Sequence, residues 1–311
     1  MSKAHNLTEN DRICSETFGI IKELWTDFIY GGHIFAFGAI CVAFMCSILF
    51  AIPVTWDFLI IIYLMFYIIY LYDYFNGTED DQKTNSTRAD YFRKNDSKTI
   101  AYILYGSIIS IAFIYVLYSD IPNMLIGFAI LILGLTYQAY FKGLTKKITA
   151  FKNIFVSLVW AILVYVMFMY YSYPITTEAL VISAFVFLRM TGIQILFDIR
   201  DIEGDQKKGL RTLPAIYGYR KGLMTLVAIN FITVILLIYE TYIRVLPPTA
   251  LMIVPVMFYS QNYLEKVKRS RKDHKSYLFA AGEPFIWFIL IFSGSMFFRM
   301  VPYISEITNI L

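Results

Sequence analysis

The 311 residues are 58% hydrophobic and only 16% charged, against roughly 25% charged in soluble domains, and mean hydropathy is +0.59. A soluble globular domain is excluded on those grounds. The net charge of +4 is small and its basic residues lie in short loops, which argues against a nucleic-acid partner.

In chain order, residues 1–27 are polar and mixed and read as a cytoplasmic lead without a cleavable signal, with an interfacial helix around Phe18 to Trp25. Nine apolar runs follow in residues 28–311, at 28–50, 54–72, 99–118, 121–141, 153–172, 177–197, 222–242, 246–264 and 278–299. Lipid cannot satisfy backbone polar groups, so runs of about 20 apolar residues must be helices however rich in Ile, Val and Phe they are. The expected fold is therefore an all-α integral membrane bundle of nine transmembrane helices, with 1–27 outside it. Of the 27 Lys and Arg residues, 24 fall in the lead and in the loops after runs 2, 4, 6 and 8. The positive-inside rule places that side, with the N-terminus, in the cytoplasm and the C-terminus opposite. Cys14, Cys41 and Cys46 lack metal-type spacing, and neither zinc nor a disulfide is expected.

Runs 2 and 6 each lead into an acidic loop. Asp73-x2-Asn76-x3-Asp80 and Asp198-x2-Asp201-x3-Asp205 share one spacing, and Gln82-Lys83 and Gln206-Lys207 follow them. On a helix, positions 0, 3 and 7 fall within about 60° of arc, so such carboxylates crowd one face. Crowded acids need a cation, and Mg²⁺ is commonly held by one or two carboxylates together with substrate phosphates. The plainer alternative, a solvated face of acids at two helix ends, does not require the same register twice.

The stretch FDIRDIEGDQKKGLRTLPAIYG (Phe197 to Gly218) resembles the second motif of the UbiA superfamily of intramembrane prenyltransferases, a DxxxD element followed by Gly, a basic residue and Thr-Leu-Pro. YDYFNGTEDDQKTNSTR (Tyr72 to Arg88) is similar to the first, NDxxDxxxD, in either of two registers. One uses Asp73, Asn76 and Asp80. The other, guided by Thr84-Asn85 and Arg88, uses Asp73 and Asp81 with Gly77 at the middle acid. Either leaves an acidic position unfilled, and the Arg-Pro-Ile element that usually follows is absent. TYQAYFKGLTKKITAFKN (Thr136 to Asn153) is also family-like.

The resemblance implies a bundle around a central cavity capped by the acidic loops, and Mg²⁺ as cofactor. It implies metal binding by Asp73, Asp80, Asp81, Asp198, Asp201 and Asp205, with Asp201, Asp205 and Lys142 catalytic. Asn76, Arg88, Tyr137, Lys146, Lys207 and Arg211 are the implied substrate contacts. The implied partners are a prenyl diphosphate donor, a lipophilic acceptor and membrane lipid. Arg189 lies inside run 6, where a charge faces a cavity or a partner; it either assists substrate or pairs with Glu283 of run 9. His33 is an acceptor contact or a hydrogen-bonded helix residue. Prenyl transfer is the expected activity. A membrane terpene cyclase is the alternative within the fold, and a transporter of lipid or small molecules the alternative outside chemistry. A CDP-alcohol phosphotransferase is disfavoured because DG-x2-AR is absent.

Overall fold

The computed structural model describes residues 9–271 and 273–308, and among them every regular element is helical. Helix α1 (Glu9–Tyr30) carries an exposed apolar face of Phe18, Ile21, Leu24 and Trp25. It stops before Gly31-Gly32, and α2 spans His33–Phe50. The first apolar run is therefore broken near its start. Gly32 has φ 95°, and a Cβ there would come within 3.2 Å of Tyr70 Cβ, so the break lets α2 approach the next helix closely.

Helix α3 (Trp56–Asn76) is followed by two short helices, α4 (Thr78–Thr84) and α5 (Ser86–Lys94). Then come α6 (Ser97–Tyr118), α7 (Ile121–Ala139), a 3₁₀ segment (Phe141–Lys146) and α8 (Phe151–Tyr170). Helix α9 (Thr177–Lys208) has 32 residues, about 48 Å at 1.5 Å per residue. It outruns a hydrocarbon core of about 30 Å, so its last turns, which carry the second acidic motif, extend past the apolar part. The αL residue Gly209 (φ 68°) ends it. Helix α10 (Leu213–Tyr242) bends at Gly218; α11 (Val256–Arg269), α12 (His274–Ala281) and α13 (Glu283–Thr308) complete the chain.

Six of these helices are long and apolar enough to cross a membrane, and a seventh span results if α12 and α13, bent by 48°, are counted as one. The expected nine single spans are thus not met by length and composition. Run 8 is not one helix: Pro247, Pro248 and Pro255 divide it into a 3₁₀ segment (Pro248–Ile253) and α11, because proline removes a helical donor and clashes with the preceding turn. Run 9 breaks at Gly282. The apolar run of α7 is shorter than a full span.

Helix α9 packs between α8 and α10, α13 lies on α2, α2 on α3, and α3 on α6 and α7, while α7 reaches α8. Of these, α2, α3, α7, α8 and α9 contribute walls to a cavity. Apolar contacts close the rest of the interior, with Trp160, Phe58, Phe185 and Trp287 fully buried. At the middle of α9, Arg189 donates through Nε to Glu283 Oε1 at 2.8 Å and through Nη2 to Oε2 at 2.6 Å. Asn230 accepts from Arg189, Tyr263 donates to Glu283 at 2.7 Å, and Trp287 donates to it at 3.0 Å. This network ties α9, α10, α11 and α13 together away from the cavity.

Candidate active site

Four carboxylates from the two motifs line one cavity of about 380 Å³: Asp73 and Asp81 from the α3–α4 region, and Asp201 and Asp205 from the end of α9. Arg88, Lys152, Arg200 and Lys208 share its polar end. The other walls are aromatic and aliphatic. Trp160 Nε1 donates to Tyr70 OH at 3.0 Å, Phe66 meets Trp160 edge-on at 4.7 Å, and Phe35 stacks on Tyr70 at 4.2 Å. The site therefore joins a charged mouth to an apolar interior.

The two motifs are built differently. The second is continuous helix, and its end is held: Thr212 Oγ1 donates to Asp205 Oδ2 at 2.8 Å, and Leu210 N donates to Asp205 O at 2.9 Å. The first is broken between α3 and α4 at Gly77, so the shared 0, 3, 7 spacing does not become a shared conformation. Asp73, Gly77 and Asp81 all line the cavity. Asn76 is exposed and turns its amide back to the Tyr72 carbonyl at 3.0 Å. The three positions of the register ending at Asp81 thus all face the cavity, and Asn76 is not among its lining residues.

Arg88 binds Asp81 with two bonds, 2.6 and 2.7 Å, and lies 4.0 Å over the Tyr74 ring. Burial alone would lower its pKa, but Tyr74 and the Asp81 carboxylate outweigh burial and raise it, so the guanidinium stays charged. Arg200 holds the adjacent Asp201 at 2.9 and 3.1 Å and faces the Tyr277 ring at 5.0 Å.

The remaining expected residues divide clearly. Tyr137 lines the cavity. Asp198 does not: it is fully buried, paired with Lys152 Nζ at 2.9 Å and accepting from Asn153 Nδ2 at 2.6 Å. Its two carboxylate oxygens are thus engaged by Lys152, itself a cavity residue, and by Asn153. Lys146, Lys207 and Arg211 are exposed outside it, Arg211 reaching Thr149 Oγ1 at 3.3 Å. Arg189 is committed to Glu283, the structural alternative of the two expected for it. His33 bonds Tyr63 OH at 2.6 Å and Asp27 at 3.2 Å rather than facing the cavity. The side chains of Asp80 and Lys142 lie outside the described residues. Lys152, Arg200 and Lys208 also line the cavity and are not among the residues implied by the sequence resemblance. The Arg in FDIRD and the Lys beside Asn153 were visible signals for the first two.

A family model described as the UbiA prenyltransferase family matches residues 73–289, a stretch that includes both acidic motifs. The chain belongs to that family. It is accordingly a multi-pass integral membrane protein. A stretch of 99 residues is 35% identical to the digeranylgeranylglyceryl phosphate synthase of Methanosphaera stadtmanae, covering 30% of this chain and 36% of that relative. Two solved structures share the UbiA fold over 87% of this chain. An apo UbiA homologue from Aeropyrum pernix K1 has TM-score 0.61 at 17% identity, with 97% of that chain covered. A UbiA homologue from Archaeoglobus fulgidus, bound to GPP and Mg²⁺, has TM-score 0.62 at 13% identity, with 99% covered.

Among the described residues, no three His, Cys, Asp or Glu side chains converge closely enough to hold a metal ion unaided. Mg²⁺ takes few protein carboxylates and keeps positions for phosphate and water. The carboxylates facing the cavity, Asp73, Asp81, Asp201 and Asp205, are hard oxygen donors from two separate motifs, a donor set that fits a divalent cation.

Proposed function

We propose that this protein is a Mg²⁺-dependent prenyltransferase that moves a prenyl group from a prenyl diphosphate to a lipophilic acceptor. The observation that carries the reading is the convergence of Asp73, Asp81, Asp201 and Asp205 on one cavity whose remaining walls are apolar and aromatic. Bound Mg²⁺ would neutralise charge on the departing diphosphate, and these four carboxylates would hold it. Arg88 and Arg200, now paired to Asp81 and Asp201, supply further positive charge at the mouth. The allylic carbon–oxygen bond breaks and diphosphate leaves with the electron pair. The acceptor's nucleophilic atom then bonds to the allylic carbon and gives up its proton. Tyr70, Trp160, Phe35 and Phe66 present ring faces and edges to the apolar end, which excludes water and favours an allylic cation. Catalysis in this scheme is chiefly electrostatic.

The proposed topology keeps the N-terminus and the acidic motifs on the cytoplasmic side, in agreement with the distribution of Lys and Arg. It keeps 28–311 as one catalytic domain of nine membrane segments, the first broken near its start and the eighth and ninth divided. The name of the Methanosphaera relative and the GPP and Mg²⁺ in the Archaeoglobus structure support the donor class and the metal. The direct test incubates purified protein with Mg²⁺, prenyl diphosphates of several lengths and a membrane lipid extract, and follows products by mass spectrometry. Prenylated lipid together with released pyrophosphate is expected. Pyrophosphate release accompanied only by a cyclised hydrocarbon would replace transfer with cyclisation, and no consumption of any diphosphate would overturn the reading.

A further inference from the structure

Three cations at the cavity mouth have known acidic partners, and the partners differ in one respect. Arg88 is paired with Asp81 and Arg200 with Asp201, and both acids themselves line the cavity. A metal recruited by those carboxylates competes for the bonds that now hold the two arginines. Lys152 is different. It lines the cavity with a side chain 31% exposed, while its partner Asp198 has no exposure and lies outside the lining. Asp198 is not among the residues that face the cavity, so the Lys152 pair does not draw on a cavity carboxylate.

The anchor is also tied to its surroundings. Asp198 stands on α9, where it accepts Lys152 on Oδ1 and Asn153 on Oδ2. Lys152 stands in the first turn of α8, which opens at Ala150 with φ 58°. Ala150 N donates to Arg211 O at 2.8 Å, and Arg211 N donates to Thr145 O at 2.8 Å. Those backbone bonds fasten the start of α8 to the turn that closes the second motif. A lysine side chain carries about 2 kcal/mol of rotamer entropy, which is lost when a ligand orders it. Asp198 imposes that order in advance and uses only part of the ammonium's three-donor capacity. Asp205 and Tyr137 lie within electrostatic range of the same ammonium.

We propose that Lys152 is a diphosphate-binding residue of the cavity, and that Asp198 is its positioning residue and not a metal ligand. The inference rests on the diphosphate reading above and adds to it the cation whose place does not depend on the metal.

The test measures binding of inorganic pyrophosphate to the full chain in detergent by calorimetry, across a Mg²⁺ titration. Lys152→Met is expected to weaken pyrophosphate on the order of 10-fold or more, the loss of one charge-assisted bond. Asp198→Asn is expected to weaken it about 3- to 10-fold through lost ordering of the lysine, with the Mg²⁺ midpoint unchanged. The double variant Lys152→Met/Asp198→Asn should equal Lys152→Met alone, since a positioning residue has nothing left to position. It also removes the unpaired buried acid, so a folding defect in Lys152→Met does not block the measurement. Binding within about twofold of wild type in the double variant would overturn the role of Lys152. A Mg²⁺ midpoint raised about tenfold in Asp198→Asn would overturn the positioning role and return Asp198 to the metal. A wild-type protein that binds no pyrophosphate with Mg²⁺ would remove the diphosphate reading itself, a result distinct from wild-type binding that the variants leave intact.

Discussion

Arg189→Ala should lower stability steeply without touching the cavity. Arg189 is 3% exposed and Glu283 0%. The guanidinium binds both carboxylate oxygens, at 2.8 and 2.6 Å, while Tyr263 and Trp287 add neutral donors to Glu283 at 2.7 and 3.0 Å. Deleting the arginine leaves a buried carboxylate with only those two bonds, and breaking a buried pair from one side costs about 3–5 kcal/mol. At roughly 2 °C per kcal/mol for a chain of this size, the melting temperature in detergent should fall by roughly 6–10 °C. Adding Glu283→Gln removes the stranded charge and keeps a group that Tyr263 and Trp287 can bond, so the double variant should recover at least half of the loss. The assay is thermal unfolding of purified protein, with pyrophosphate affinity measured alongside and expected to stay at the wild-type value. A single variant that melts within about 2 °C of wild type would refute the reasoning, since an uncompensated buried charge cannot be that cheap. So would a double variant no more stable than the single one.

Asp201→Ala and Asp205→Ala should each reduce pyrophosphate release to background while the proteins fold, and Asn76→Asp should be tolerated because Asn76 is exposed outside the cavity; near-normal turnover in both alanine variants would remove their metal role. Chelating Mg²⁺ should abolish turnover reversibly, and readdition should restore it; activity that survives exhaustive chelation would contradict the proposed clamp. Val159→Trp places a large ring among the apolar lining residues, so longer prenyl diphosphates should lose kcat/KM relative to shorter ones, a shift that a competition assay reads directly. Cysteines introduced at Ser86 and Lys208 should react with an impermeant thiol reagent only after permeabilisation; labelling of either in intact cells would invert the topology.

The helical bundle was legible because a bilayer leaves apolar runs few conformations, and seven of the nine expected runs coincide with the cores of helices α2, α3 and α6–α10. The departures have local causes. A hydropathy average passes over Pro247, Pro248 and Pro255, yet those residues stop a helix. It also passes over Gly31-Gly32 and Gly282, whose effect depends on what packs against them. The second acidic motif was legible in both sequence and shape, since Asp201 and Asp205 sit on one continuous helix. The first was legible only as two registers. The break at Gly77, which sets α4 apart from α3, is what a spacing count along one helix does not show.

Lys152 illustrates the deeper limit. By composition it is one of four lysines in the stretch after the fourth apolar run, and the positive-inside rule accounts for all four equally. What separates it from Lys146 and Lys147 is an acid 46 residues away, brought to 2.9 Å by the packing of α8 on α9. The same packing takes Asp198 out of the carboxylate row that its spacing suggested. One tertiary contact thus reassigns two residues together: the acid that looked like a ligand becomes a support, and the lysine that looked like a membrane anchor enters the cavity. Spacing along a helix says which side chains share a face; which of them meets substrate follows from what the neighbouring helix brings to that face.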